Sequence, residues 1–179
     1  AAKLTPVFFG SGVNNFGVME VLGAVVDMAP SPRPRVAFAQ TNGQREQQTI
    51  QPDDKNFAGV VFKVQANMDA NHRDRIAFVR VASGKYQPGM KMRVQRTGKE
   101  LRPTSVVTFM SQRREAVDEA YAGDIIGFTI HGGVQLGDSI TDGPSLQFTG
   151  LPFFAPEMFM TVVLKNPLRT KQLQQGLMQ

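Results

Sequence analysis

The spacing of hydrophobic residues changes its period along this chain. An apolar run over residues 4–9 has the character of a short buried strand. A glycine-rich loop follows, and the next apolar residues recur at helical spacing: Val18, Val21, Leu22, Val25 and Val26. We predict a helix here, capped by Asn14 or Asn15 and ended by Ala29-Pro30.

Residues 30–56 favour a connector. Prolines at positions 30, 32 and 34 oppose both a helix and a central strand. Residues 39–56 are polar and rich in glutamine. We therefore predict an extended segment followed by a loop, with at most a weak edge strand.

From residue 57 to about residue 141 the period becomes two, which is typical of strands. Glycine, proline and aspartate separate the short β-rich runs, and no ten-residue helical pattern intervenes. The pattern predicts an antiparallel sandwich or a closed barrel of six to eight strands. The runs cover residues 60–64, 76–79, 90–94, 106–110 and 125–130.

After Gly143 the pattern changes again. A second proline-bounded connector covers residues 151–156, a strand is expected at 159–164, and a helix begins at Pro167. The last helix stops in mid-pattern, and the first strand has no partner strands. Both features suggest a piece of a longer protein.

Composition excludes several classes of protein. No run approaches the roughly 18 apolar residues of a membrane span, and no signal segment stands at the start. The chain has no cysteine and only two histidines, His72 and His131. Disulfides, thiolate nucleophiles and multi-histidine metal sites are therefore not expected, in agreement with a cytoplasmic location.

Positive charge is concentrated in the middle of the chain. The net charge is +5 overall, but residues 51–110 alone carry eleven basic and five acidic side chains. On the predicted strand 90–95, Met90, Met92 and Val94 should face the core, while Lys91 and Arg93 face outward. A basic barrel wall can bind phosphates, and A-form RNA recognised by its shape fits such a wall. The alternative is a solvated charged face.

The loop Gly10–Gly17 lies between a strand and a helix, a position suited to phosphate binding. The G-x-G-x-x-G fingerprint is not matched, because Asn15 stands where it requires glycine. A P-loop is not matched either, because Val18 stands where it requires lysine. Ser11 lacks the frame of a hydrolase nucleophile. An ordinary strand-to-helix turn is the alternative.

Catalytic and metal sites are not predicted. His72 and His131 lie in polar loop segments, and the surrounding sequence does not indicate a serine or aspartate that would complete a catalytic triad with either. Asp53-Asp54 and Asp118-Glu119 are adjacent pairs, and neighbours on an extended chain point to opposite faces. Solvated charge is the better interpretation of both pairs.

The motifs resemble a known family over essentially the whole chain. Residues 5–12 with 15–18 resemble the end of the G domain in translational GTPases. Residues 57–69 and 72–84 resemble the second domain of the bacterial peptide chain release factor three family, and 148–150 and 154–157 continue the match. The barrel motif is shared with elongation factor G.

The resemblance implies a mainly β fold with a translation-factor-type antiparallel β-barrel, domain II. An α/β G-domain remnant and the start of an α/β third domain are expected to flank it. The implied division is 1–29 for the G-domain remnant, 30–56 for a linker, 57–148 for the barrel and 149–179 for the third domain.

The family also implies a ribosome-dependent GTPase that promotes recycling of stop-codon-reading, class I release factors. Its partners would be small-subunit rRNA, those release factors and its own G domain, with no membrane. GTP or GDP with Mg²⁺ would serve the intact protein. The P-loop, the switches and the Asn-Lys-x-Asp motif are absent from these 179 residues, so no cofactor and no activity are expected of the chain alone.

Carried over by resemblance, Ser11, Gly12 and Val13 would contact guanine through backbone N–H groups, with Gly12 replacing the family's usual alanine. The candidates for facing rRNA are Arg73, Arg75, Lys85, Lys91, Arg93, Arg96, Lys99 and Arg102.

Three alternative functions stay open. The chain could belong to an elongation factor G-like translocase, or be a stand-alone β-barrel binding module with no nucleotide role. A hydrolase using Ser11 and a histidine is the third.

Overall fold

The computed structural model describes residues 3–41, 44–66, 75–103, 105–110, 113–130, 133–152 and 154–177. The chain divides into two units, Ala1–Arg33 and Pro34–Gln179.

The first unit contains the predicted helix, α1, at Val18–Met28. It ends at Ala29, whose N–H bonds the carbonyl of Val25 at 3.0 Å, as expected before a proline. The predicted asparagine cap is wrong. Gly17 occupies the cap position with φ 73°, a left-handed conformation that glycine adopts without strain, and no side chain caps the helix.

The predicted strand at residues 4–9 is not formed. A strand needs a neighbour to bond its backbone, and the described chain offers none to this segment. The first unit instead has an antiparallel bridge between Ser11 and Phe16, at the base of the glycine-rich loop.

The second unit is built from short strands, thirteen of them in the described ranges. In chain order they are β1 Arg35–Thr41, β2 Gln44–Ile50, β3 Ala58–Ala66, β4 Arg75–Ser83, β5 Lys85–Tyr86, β6 Met92–Val94, β7 Glu100–Leu101, β8 Val106–Met110, β9 Arg113–Ala116, β10 Ala120–Tyr121, β11 Ile125–Ile130, β12 Ser139–Thr141 and β13 Leu146–Phe148.

Eight of these strands form one curled antiparallel sheet, in the order β7-β6-β12-β3-β4-β11-β8-β9. The antiparallel barrel class predicted from the period of two is confirmed. In the described residues, however, the ladder stays open between β7 and β9, so the sheet is a half-barrel and not a sealed cylinder. A two-stranded ribbon of β5 and β10 stands beside it.

The main core fills the concave side of this sheet. Phe57, Phe128 and Ile140 are fully buried there, with Met92 and Val94 from β6. Apolar burial on one face of a curled sheet is the main stabilising contribution available to a fold of this kind.

The strand β4 is buried on both faces. Its residues Ala77, Val79 and Val81 enter the main core, while Ile76 and Ala82 alternate with them and are also buried. Ala82 is buried on this second face because a second, three-stranded sheet, β13-β1-β2, packs there. A second core cluster joins Ala37, Ala39, Ile50, Leu146 and Phe148 of that sheet to Ala58 and Ala82.

The prediction for residues 39–56 is confirmed in part: the edge strand that it allowed is β2, at the edge of the three-stranded sheet, while the end of β1 lies where a loop was expected. Seven residue pairs, from Arg35↔Ile50 to Thr41↔Gln44, hold β1 and β2 in a hairpin. In β2 only Ile50 is buried, so its glutamines show no alternation that would have revealed the strand. The backbone hydrogen bonds to β1 make this segment a strand instead.

Five predicted strands are confirmed, as β3, β4, β6, β8 and β11. The alternation predicted within β3 is wrong in detail. A register shift between Val61 and Lys63 breaks the period. As a result Val61 and Val64, which are three positions apart and should lie on opposite faces, both pack in the main core.

The C-terminal region contains no strand at 159–164, contrary to expectation. Met158, Phe159 and Met160 are almost fully exposed, and no described strand pairs with them. The predicted helix is confirmed as a 3-10 turn, Pro167–Arg169, followed by α2, Thr170–Leu177. Among the helices of the described residues, none is long and apolar enough to cross a membrane.

Candidate nucleic-acid interface

The hairpin of β6 and β7 presents a cluster of cations. Met92 and Val94 are buried in the main core, and strand geometry therefore turns Lys91 and Arg93 outward. Both are exposed, so the predicted orientation of this strand is confirmed.

Pairing with β7 brings Glu100 opposite Arg93. The Arg102 Nε donates to Glu100 Oε1 at 2.6 Å. This bond holds the pKa of Glu100 below its usual value, and the charges of Lys91 and Arg93 lower that pKa further. The cations therefore lie close enough to act on one carboxylate.

We call Lys91, Arg93, Lys99 and Arg102 the cationic hairpin. All four are exposed, and Glu100 is the acidic residue among them. Four guanidinium or ammonium groups against one carboxylate leave a surface of net positive charge. Such a surface attracts phosphates without reading bases.

Arg96 lies in the turn of the same hairpin and has a different role. Its Nε and Nη2 donate to Asp138 Oδ1 and Oδ2 at 2.7 and 3.0 Å, and Nη2 also reaches the Gly133 carbonyl at 3.0 Å. The Asp138 side chain is only 3% exposed. The hydrogen bond to Asp138 raises the pKa of Arg96. Arg96 thus anchors the hairpin turn to the loop before β12.

Asp138 is the residue of this region that the sequence did not reveal. Its carboxylate also accepts from the Gln135 N–H at 2.8 Å, which closes the turn that carries it. The sequence signal Gly137-Asp138 indicated a turn, but nothing in it indicated a bidentate partner 42 residues from Arg96.

Lys85 is paired with an acidic residue that does not belong to the cationic hairpin. Its Nζ bonds Glu119 Oε1 at 2.5 Å, and the Tyr121 hydroxyl donates to Glu119 Oε2 at 2.7 Å. The bond to Glu119 raises the pKa of Lys85, with a further rise from Tyr121. The same contacts, Lys85 first, lower the pKa of Glu119.

The structure does not gather all eight predicted cations. Arg75 begins β4, where its backbone pairs with Ala66 and Ile130. Arg73 lies outside the described residues, as do His72 and His131. The cationic hairpin is the part of the predicted surface that the described chain brings together.

The predicted guanine-contacting loop is part of the first unit. The Ser11 N–H donates to the Phe16 carbonyl at 2.8 Å, and the Phe16 N–H returns a bond to Ser11 at 3.1 Å. Gly12 and Val13 are exposed, and no backbone acceptor in the described chain bonds their N–H groups. Of the three predicted N–H donors, two are thus free to meet a ligand.

The Ser11 hydroxyl does not have the environment of a nucleophile. Its Oγ accepts the Asn14 N–H at 3.3 Å, inside the same loop. Asp54 similarly closes a local turn, since its Oδ2 accepts the Gln51 N–H at 2.8 Å. In the described ranges no three acidic or histidine side chains gather where they could hold a metal ion.

Comparison with known proteins gives two results. Residues 56–143 match the family described as elongation factor G domain 2. Over all 179 residues the chain is 63% identical to peptide chain release factor 3 of Bordetella pertussis and 58% identical to that of Nitrosomonas europaea. The chain spans 32% of the length of each of these relatives.

Proposed function

We propose, from the premise that this chain is homologous along its whole length to peptide chain release factor 3, that it is a segment of a translational GTPase acting in translation termination. The observation that carries the proposal is the 63% identity over 179 residues. The intact protein would work in the cytoplasm and promote recycling of class I release factors from the ribosome.

The barrel's part in this function is to position the protein on the ribosome. The cationic hairpin would contact phosphates of small-subunit rRNA, because its four charges are exposed while Met92 and Val94 anchor β6 in the main core. The Arg96–Asp138 anchor would keep that hairpin in place during binding.

Residues 1–29 would be the end of a G domain, and 149–179 the start of a third domain. The free N–H groups of Gly12 and Val13 support a contact with a guanine base. GTP with Mg²⁺ would supply the hydrolysis chemistry in the intact protein. The present chain contributes the base contact and no phosphate-binding loop.

The RNA contact is tested by reversing charge at Lys91 and Arg93 together. Binding of the 179-residue chain to small ribosomal subunits should weaken, and the slope of log affinity against log salt should fall by about 2. The matched control is Lys55→Glu with Lys165→Glu, two exposed cations outside the cationic hairpin with the same change of net charge. Equal losses in both variants would reject the contact.

The termination role is tested with the intact protein that contains this segment. We expect GTP-dependent departure of a class I release factor from ribosomes after peptide release. The match of residues 56–143 to elongation factor G domain 2 favours one other candidate, a translocase. Movement of tRNA without release-factor recycling would establish that candidate instead.

A further inference from the structure

An apolar groove opens on the outer wall of the barrel, apart from the cationic hairpin. Its volume is about 240 Å³, and Val60, Phe62, Ile125 and Phe148 contribute to its lining. It shares no residue with the cationic hairpin. This volume is below the roughly 300–1,000 Å³ of small-molecule sites, and suits one large apolar side chain.

The sheet register explains how the groove is built. Arg80 of β4 is the Cα partner of Val60 on β3 and of Ile125 on β11, so these three side chains form a row across the outer face. Arg35 lies on the same face of β1 as Ala37 and Ala39, the face that packs on the barrel. The groove is the space between the two sheets that lies next to this packed region and is not filled by side chains.

Two arginines therefore line one apolar groove. Arg35 and Arg80 both belong to its lining, and no acidic residue of the described chain does. No ion pair in the described residues engages either guanidinium. Two cations in the lining of one mainly apolar groove would attract an anion bound there.

From this combination we propose that the groove is a docking site for a protein segment that carries one large apolar side chain next to carboxylates. The apolar side chain would fill the groove as an anchor, and Arg35 and Arg80 would bind the flanking carboxylates. A protein segment fits better than RNA because the lining is mainly apolar and offers little to the polar edges of a base.

The test is an NMR titration of the ¹⁵N-labelled 179-residue chain with an acetylated heptapeptide that has one phenylalanine flanked by aspartates. We expect saturable shifts of the Ile125 and Gly150 amides. Replacing the aspartates by asparagines should weaken binding about tenfold. Absence of saturable shifts at millimolar peptide would overturn the proposal.

Variants of the chain locate the site. Arg35→Gln with Arg80→Gln should also weaken peptide binding about tenfold. The matched control, Lys55→Gln with Lys165→Gln, removes two exposed charges outside the groove and should leave peptide binding unchanged. If the double arginine variant unfolds, Ile125→Gln at the partly exposed edge of the groove replaces it, with the same weakening expected. Unchanged affinity in a folded groove variant would overturn the proposal.

An RNA probe separates this site from the proposed rRNA contact. A twelve-nucleotide oligouridine should not shift the groove amides or displace the peptide, and either result would reject a protein partner. Loss of ribosome binding in the Lys91 and Arg93 variant reports only on the cationic hairpin. The two proposals can therefore fail independently.

Discussion

The helix α1 and the barrel core contain apolar residues in equally regular patterns, yet their burial differs completely. Leu22 and Val25, on the apolar face of α1, are 53% and 56% exposed. Phe128 and Ile140 of the barrel are fully buried. The apolar pattern predicted the element type in both regions. Burial also requires a second apolar surface, which the strands find within their own unit and α1 does not find among the described residues of the first unit.

This difference has a consequence for stability. Removing apolar side chains from water contributes roughly 25 cal/mol per Å² of buried surface. The barrel residues receive that contribution within the described chain, and the apolar face of α1 receives little of it. Substitutions in the two regions should therefore differ in cost.

The largest expected effect comes from the core itself. Phe128→Ala should lower the free energy of unfolding by about 3–5 kcal/mol, because it removes a fully buried ring and leaves a cavity. Leu22→Ala, on the exposed face of α1, should change it by no more than about 0.5 kcal/mol. Urea denaturation of the 179-residue chain measures both. Equal losses would show that α1 is as well buried as the barrel.

A smaller difference is expected between two glycines. Gly84 has φ 67°, and a Cβ there would lie 2.5 Å from the backbone oxygen of Asn56. Gly84→Ala should therefore destabilise the barrel by about 1–3 kcal/mol. Gly12 in the first unit has nothing within 4 Å of an added Cβ, so Gly12→Ala should be neutral or slightly stabilising. Thermal unfolding of both variants measures the two changes in stability. A large loss of stability in Gly12→Ala would contradict the open space around this glycine.

The smallest effect concerns pH and the surface pair of the barrel. The bond to Lys85 lowers the pKa of Glu119, so its contribution is complete above the unfolded value near 4.3 and is lost as pH falls through the folded pKa. Stability should therefore decline below about pH 4.5. Glu119→Gln should flatten that decline, as should 1 M salt, which screens exposed charges. Urea midpoints between pH 3 and pH 6 provide the measurement, and an identical slope in the variant would exclude this pair.

Some of the fold was predictable because local patterns specify it. The period of two located β3, β4, β6, β8 and β11, and helical spacing located α1. The hairpin of β1 and β2 was not predictable, since the glutamines of β2 show no alternation and Ile50 alone is buried. β2 is a strand because its backbone hydrogen-bonds to β1, and almost any residue can form such backbone bonds.

The same division applies to the candidate interface. Sequence alternation by itself determined that Lys91 and Arg93 face outward, because Met92 and Val94 must enter the core. Only the tertiary structure decided which cations are already engaged. Asp138 lies 42 residues from Arg96, and Glu119 lies 34 residues from Lys85. Charge pairing depends on distance in space, and chain folding, not local periodicity, sets that distance.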